Sequence, residues 1–430
     1  MRNKFGDCSI SKGGGFRELK LLKTLKIKPG ISKIDEPDNA GASLSTLWEF
    51  IEETIPEEYH EKTPIFMYAT AGLRVLAEEN SEKIYDDDDT DEYMILEEDD
   101  EDFNVGKVNK ILNNLRNYVK NTSPFQLISN DHVRVLQGKE EGLFDFLTVQ
   151  HIYRENPEAQ LTGSNSNFTG KINENFKWVK ENELYPVGTV DLGGASTQFS
   201  LVSSDISTYN ISVFTPYPFL ENLPSLYTHS FLDYGIHRAY ELYQERLLNQ
   251  SAHSIVHDPC LFADFRYEIS KHGREYQIIG TAKAIDCKTI ISTMFTSFFG
   301  NCKNPPCAMV DIQKPNSNNL QPVRFIAFDH AYRVASFFNI YGYSPTFFLS
   351  NRASKLLDLT LAELYEFYGE ETNDELQRII FEAFYVFTLL QNGYGLSHVA
   401  FADTLDGNSL SWAVGAMVFN ANHLCEKNIL

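Results

Sequence analysis

The stretch Val190-Asp191-Leu192-Gly193-Gly194-Ala195-Ser196-Thr197-Gln198 decides how the chain is read. A short apolar strand, Pro186 to Asp191, delivers an acid at its end. Two glycines then let the backbone turn closely enough for N–H groups to face an anion, which is how phosphates are cradled. A second strand, Thr197 to Val202, returns and carries hydroxyl and amide side chains beside the turn. A bare Gly-Gly hairpin would be read as a turn and nothing more. The flanking Asp191, Ser196, Thr197 and Gln198 favour a phosphate site.

Working outward, 430 residues imply two or three domains or lobes. With 43% hydrophobic and 22% charged residues the composition is that of a globular protein. The net charge of −22 is uneven: residues 86–102 hold 12 acids and no base, so more than half of the imbalance sits in one stretch, expected to be a solvated loop. Nucleic acid is not expected as a general partner, because a phosphate backbone needs clustered Lys and Arg. No apolar run approaches the length of a transmembrane helix. Met1 to Leu22 lacks the apolar centre of a signal peptide, which by itself points to the cytosol. The six cysteines form no CxxC and have no His at zinc-finger spacing, so structural zinc is not expected.

The remaining elements alternate. Residues 16–36 read as one or two short strands with a turn at Pro29-Gly30. Leu44 to Ile55 reads as a helix, Thr63 to Thr70 as a buried strand, and Leu73 to Glu79 as a helix. Val108 to Val119 reads as an amphipathic helix, His132 to Leu136 as a strand, and Leu143 to Tyr153 as a helix. Further on come a strand at Val323 to Phe328, helices at Ala331 to Phe338 and Glu375 to Leu390, a strand at His398 to Ala402 and a helix at Ser411 to Asn420. The expected class is α/β.

Two more segments carry chemistry. In Ala69-Thr70-Ala71-Gly72-Leu73-Arg74 a strand again ends in small residues before a helix, the corner a phosphate can approach. In Gly138-Lys139-Glu140-Glu141-Gly142 two carboxylates open a helix. The macrodipole alone favours acids there, and a general base is the functional reading.

Together these segments resemble the apyrase family, the nucleoside triphosphate diphosphohydrolases related to CD39, over about Pro29 to Val418. The family's ATAG-hydrophobe-R is Ala69 to Arg74. GxxEGxxxW is Gly138 to Phe146, with Phe146 in place of Trp. DxGGASTQ is Asp191 to Gln198, and SWxxGxM is Ser411 to Met417. Tyr227 to Phe231, Asp258-Pro259-Cys260 and Phe325 to Phe328 also match.

The resemblance implies a two-lobed, actin-like (RNase H-type) fold with the nucleotide in the inter-lobe cleft. Lobe one would be 1–137 plus 404–430, and lobe two 138–403. It implies hydrolysis of nucleoside tri- and diphosphates. Glu141 would be the general base, with Ser196 and Gln198 orienting the attacking water. Phosphate would be bound by Thr70, Ala71, Gly193, Gly194, Ala195 and Ser196. Asp191, with Thr70, would hold Mg²⁺ or Ca²⁺ through water, and Tyr332 would meet the nucleobase. Arg74 and Trp412 would be structural beside the site. Disulfides Cys260–Cys287 and Cys302–Cys307 are implied, hence the secretory pathway (a membrane-associated, Golgi-lumenal or extracellular place), against the reading of the N-terminus alone. Asn121, Asn167, Asn210 and Asn249 begin glycosylation sequons.

Two departures qualify this. The family's first phosphate loop, DxGSS, has only a poor echo in Asp7-Cys8-Ser9-Ile10-Ser11, so little or no phosphate release from ATP or ADP is expected of residues 1–430. The base-stacking Arg has no counterpart near Gln391-Asn392-Gly393, so loose base preference is expected. A non-catalytic nucleotide-binding relative remains open as an alternative. A sugar kinase or exopolyphosphatase is disfavoured by the complete DxGGASTQ and SWxxGxM.

Overall fold

A computed structural model of the chain describes residues 23–78, 103–155, 161–162, 179–180, 183–184, 187–202, 226–296 apart from 252 and 272, 308–309, and 324–426 apart from 370–372 and 406. Its contacts group into two compact units, Glu18–Glu141 and Gly142–Leu430.

In the smaller unit, strands β1 (Met67–Ala69) and β2 (Val133–Val135) pair in parallel, with Ala69 opposite Val135. The crossover between them contains helices α1 (Ala71–Glu78) and α2 (Phe103–Asn121). Leu73 and Ala77 of α1 meet Val108, Ile111, Leu112 and Leu115 of α2 over Val133, the i, i+3, i+4 spacing that gives a helix one apolar face. β1 is shorter than the expected 63–70, because ahead of it only Pro64 bridges to Gln126. Residues 23–36 form no strand, contrary to expectation; Ile31–Lys33 is one 3₁₀ turn instead.

Helix α3 (Gly138–Glu155) begins five residues earlier than its apolar spacing predicts, because Glu140 caps it. The Glu140 carboxylate accepts from Gln137 N at 3.0 Å and takes both Arg134 nitrogens, at 2.6 and 2.7 Å. The boundary between the two units falls within this helix, after Glu141.

The larger unit is built on a six-stranded sheet. Its strands are β3 (Gly188–Leu192), β4 (Ser196–Val202), β5 (Leu226–Leu232), β6 (Phe325–Asp329), β7 (Gly342–Pro345) and β8 (His398–Phe401), in spatial order β7-β8-β6-β3-β4-β5. β6 runs parallel to β3 and β8, whereas β3-β4, β4-β5 and β7-β8 are antiparallel. Every residue of β3 and β4 is buried, polar and apolar alike, because both sheet faces are covered there. Ile326 and Phe328 pack with Val149 and Ile152 of α3 on one face. Phe325 and Ala327 join the large core on the other, with helices α4 (Ile236–Gln250), α5 (His330–Phe337) and α6 (Asn373–Thr388).

The tail helix α7 (Trp412–Glu426) belongs with this unit. Gly415 N donates to Thr148 Oγ1 of α3 at 2.8 Å, and Thr148 donates to Ser411 O at 2.8 Å. A Cβ on Gly415 would collide with the Phe144 carbonyl, so the glycine of SWxxGxM is required for helix docking.

A three-stranded sheet (Ile255–Asp258, Arg266–Lys271, Arg274–Gly280) precedes helix Ala284–Thr296. The disulfide Cys260–Cys287 joins that helix to the loop after the first strand, as the resemblance implied. Cys302 and Cys307 lie outside the described residues. Asp258, 2% exposed, anchors the loop by accepting from both Tyr243 Oη and Cys260 N. Burial raises its carboxyl from 3.8 to about 6. Below pH 4 the group is protonated whether the chain is folded or not. Between pH 4 and 6 it is protonated only in the fold, and above 6 the folded chain carries a buried charge. The group therefore costs stability as pH rises through this window, about 3 kcal/mol in all. Asp258→Asn keeps both acceptor contacts and removes the titration. Denaturant unfolding at pH 4 and pH 7 should show the wild type losing that much more stability than the variant. The same pH dependence in both proteins would contradict the assignment.

Candidate functional site

The turn between β3 and β4 is held from behind. Gly193 N donates to Ser196 O at 3.0 Å, closing the hairpin. The Gly193 carbonyl accepts from Ile236 N at 3.0 Å, and the Gly194 carbonyl from His237 N and Arg238 N at 2.9 and 3.1 Å. The first turn of α4 thus takes the carbonyls of the turn. Gly194 N and Ala195 N have no acceptor among the described residues. Of the three amides expected to face phosphate, that of Gly193 is already used inside the hairpin. The pair at Gly194 and Ala195 fits the role.

Side chains stiffen the same hairpin. Thr197 Oγ1 donates to Asp191 O at 2.7 Å and accepts from Tyr394 Oη at 3.1 Å. The Tyr394 ring stacks on Phe199 at 4.5 Å, and Phe199 stacks on Phe325 at 5.2 Å. Asp191 is 6% exposed, Ser196 2% and Gln198 1%. The Gln198 amide nitrogen donates to Ser196 Oγ at 2.7 Å and to Ser230 Oγ at 2.9 Å. These two bonds fix which way the amide points, with its oxygen opposite. Ser230 is a positioning residue that sequence reasoning quoted without a role. Register supplies it, since Gln198 lies directly opposite Ser230 in the β4–β5 ladder.

Gly142 shows why the acid motif continues with glycine. A Cβ there would press on Thr228 Oγ1, stand 2.8 Å from Ser200 Oγ and 3.4 Å from Gln198 Cβ. Ser200 Oγ donates to the Gly142 carbonyl at 2.9 Å. The backbone just after Glu141 is therefore seated on β4 and β5 at Gln198.

In the smaller unit, Thr70 ends the β1 corner and accepts from Leu73 N and Arg74 N, at 3.0 and 3.3 Å. Ala71 opens α1, where helix amides have no acceptor within the helix. Arg74 Nη2 donates to Glu141 Oε2 at 2.8 Å, and both side chains are buried. The ion pair orients the Glu141 carboxylate.

The structure thus joins Arg74 to Glu141, and Asp191 to Ser196, Gln198 and the glycine turn. Two further expected residues lie in helices of the larger unit. Tyr332 lies in α5 and is 4% exposed; burial pushes its hydroxyl up to about 12. Trp412 is half-buried at the start of α7, whose docking on α3 is described above. At the base-pocket position, Gln391 sits in a π-helical turn, Leu389–Gly393, and its Oε1 accepts from Thr346 Oγ1 at 3.1 Å.

For a divalent cation, no group of three or more His, Cys, Asp or Glu converges among the described residues. A buried carboxylate at Asp191 and the Thr70 hydroxyl are hard oxygen donors. Each, in its own unit, is the kind of donor that Mg²⁺ or Ca²⁺ takes, directly or through water.

The sequence profile of the GDA1/CD39 (nucleoside phosphatase) family matches residues 15–93 and 103–430. A Golgi apyrase of Schizosaccharomyces pombe is 25% identical, over 94% of this chain and 66% of that protein. Ectonucleoside triphosphate diphosphohydrolase 1 of Bos taurus is 24% identical, over 92% of this chain and 74% of that one. The chain therefore spans just under two thirds of the first relative and about three quarters of the second. Among solved structures, a nucleoside triphosphate hydrolase from Neospora caninum superposes with a TM-score of 0.51 at 14% identity, covering 91% of this chain and 79% of that chain. That likeness concerns the fold, the two-lobed actin-like class. With its glycine hairpin and acid-opened helix accounted for, and the profile matched along nearly its whole length, the chain belongs to the GDA1/CD39 (nucleoside phosphatase) family.

Proposed function

We propose that this chain hydrolyses nucleoside tri- and diphosphates to the monophosphate and phosphate, with Mg²⁺ or Ca²⁺ as cofactor. The observation that carries the reading is the β3–β4 turn. Its carbonyls are consumed by α4 while the amides of Gly194 and Ala195 have no described acceptor, and Gln198 is locked beside it by Ser196 and Ser230. Backbone amides preset in this way stabilise charge on a transferring phosphate without reorganising. The fold places them beyond the carboxyl end of β3, where α/β sheets bind ligands.

In this reading Ser196 and Gln198 orient the attacking water and Glu141 accepts its proton. The water oxygen bonds to the terminal phosphorus as the bridging oxygen leaves with the shortened nucleotide. The Arg74 ion pair keeps the Glu141 carboxylate in one orientation, which general-base catalysis requires. Gly142 holds the backbone beside it against β4. Asp191 and Thr70 would hold the cation, which would neutralise charge on the phosphates.

The names of the matched relatives support a place in the secretory pathway or outside the cell, and the Cys260–Cys287 bond fits an oxidising compartment. Among the described residues no helix is long and apolar enough to cross a membrane. Asn121 and Asn249 are exposed at the ends of α2 and α4, where a glycan could be attached.

Two substitutions separate the adjacent acids. Phosphate release from ATP or ADP, whatever its level in residues 1–430, should be lost in Glu141→Ala, while binding of a non-hydrolysable ATP analogue persists. Glu140→Ala should instead lower the melting temperature, because it breaks a bidentate ion pair and a helix cap, while turnover stays within a few-fold. Equal loss of turnover in the two variants would refute the base assignment.

A second expectation concerns the cation. Chelation with EDTA should stop phosphate release without unfolding the chain, as judged by circular dichroism, and added Mg²⁺ or Ca²⁺ should restore it. Turnover unaffected by EDTA would refute the cofactor reading.

A further inference from the structure

The face of β4 that carries Gln198 carries a further polar group, one that the proposed reaction does not employ. Side chains two residues apart on a strand share a face, about 7 Å from one another. Ser200 therefore lies beside Gln198, and Thr228 lies opposite Ser200 as Ser230 lies opposite Gln198. Ser200 is fully buried. Its Oγ donates to the Gly142 carbonyl at 2.9 Å and is 2.8 Å from Thr228 Oγ1. A hydroxyl has a single proton and a carbonyl can only accept, so the Ser200 proton goes to Gly142 and Thr228 is the donor to Ser200. Donation thus runs from Thr228 to Ser200 to the Gly142 carbonyl.

That carbonyl does not need the bond in order to be satisfied. Inside an α-helix it already faces the amide four residues on, and a buried hydroxyl carries a desolvation cost that alanine would not. What the bond adds is position. Gly142 has no side chain, and the hydroxyls of Ser200 and Thr228 stand where its Cβ would project. At this residue the helix has nothing apolar to key into the sheet, and a directional bond takes that place. Gly142 directly follows Glu141. Fixing its carbonyl fixes the rotation of α3 about its axis, and its depth on β4, at the residue next to Glu141. The carboxylate of Glu141 is held separately, by Arg74.

We propose that Ser200 is a positioning residue for the hydrolysis, supported by Thr228: through the Gly142 carbonyl they set the angle at which α3 presents Glu141 to the attacking water. This rests on the reading of Glu141 as the general base. One strand face then serves both partners of the water. Gln198 acts on it through an amide, and Ser200 acts on the base through the backbone. A base must lie within hydrogen-bond reach of the proton it takes, and a displacement of about 1 Å costs up to ~100-fold in rate. Losing one hydroxyl loosens the helix start without removing the base, so a smaller loss, about tenfold, is expected.

The test compares the wild type with Ser200→Ala, Thr228→Val, Thr228→Ser, Glu141→Gln and the double variant Ser200→Ala/Glu141→Gln, with Mg²⁺ present. One readout is single-turnover release of labelled phosphate from ATP with protein in excess. The other is calorimetric affinity for ADP with aluminium fluoride, which mimics the phosphate in transfer and needs no turnover. A non-hydrolysable ATP analogue reports ground-state binding. Ser200→Ala and Thr228→Val should each lose about tenfold in rate and in affinity for ADP with aluminium fluoride, while the ATP analogue binds as before. Thr228→Val keeps the shape and removes the hydroxyl. Thr228→Ser loses a methyl and keeps the hydroxyl, so it should restore both readouts even where it lowers the melting temperature. In the Glu141→Gln background Ser200→Ala should cost no further affinity for ADP with aluminium fluoride, because no base is left to position.

The proposal is overturned, with the base reading intact, by any of three results. Thr228→Ser could lose as much as Thr228→Val, which would mark the pair as packing. Ser200→Ala could leave both readouts unchanged. It could also cost as much in the Glu141→Gln background as in the wild type. The base reading falls together with the proposal if Glu141→Gln releases phosphate as fast as the wild type, or if the wild type neither releases phosphate nor binds ADP with aluminium fluoride.

Discussion

The fold around the candidate site depends on one close approach of backbones. Gly235 lies so near the backbone of Gly194 and Ala195 that no side chain fits between them. Because of that approach, the amides of α4 reach the carbonyls of Gly193 and Gly194. A peptide whose carbonyl is held on one side directs its N–H to the other. The glycine turn becomes an amide-lined surface through its contact with α4, and the glycines make that contact sterically possible.

A second constraint works behind the hairpin. Phe325, Phe199 and Tyr394 form a continuous stack, and Tyr394 reaches Thr197, which in turn holds the Asp191 carbonyl. Three elements distant in sequence are thereby fixed to one another through ring faces and a hydroxyl chain. A phosphate site needs such backing, because preset dipoles are effective only if they do not relax toward the ligand or away from it. Gly142 and Gly415 do the corresponding work for α3. One lets the helix start sit on β4 and β5, and the other lets α7 lie against the Phe144 carbonyl.

The acids at the start of α3 show how position divides the labour of identical chemistry. Glu140 faces Arg134 and the Gln137 amide and is absorbed by helix capping. Glu141, one residue and about 100° further round the helix, faces Arg74 instead. Residue type does not distinguish them; the direction in which the helix presents each one does, and it leaves Glu140 half-buried and Glu141 buried.

Much of this was legible in the sequence. The glycines, the acid at the strand end, the helix of 108–119 and the paired strands around 190 and 198 follow from local patterns, because turns need glycine and helix faces need apolar periodicity. The cysteine pair 260–287 also came through, by family resemblance. What the sequence could not show was how single polar atoms are spent. That Gly193 N is used within the hairpin, that Ser230 holds Gln198, and that Ser200 holds the Gly142 carbonyl all require contacts across strand register or between elements distant in the chain. The Tyr332 ring, read from the resemblance as a nucleobase contact, is 4% exposed in α5, a burial that local pattern does not show. Local pattern decides which backbone conformations are affordable. Tertiary packing decides which donors, acceptors and ring faces are left over, because each is claimed or released by neighbours tens or hundreds of residues away.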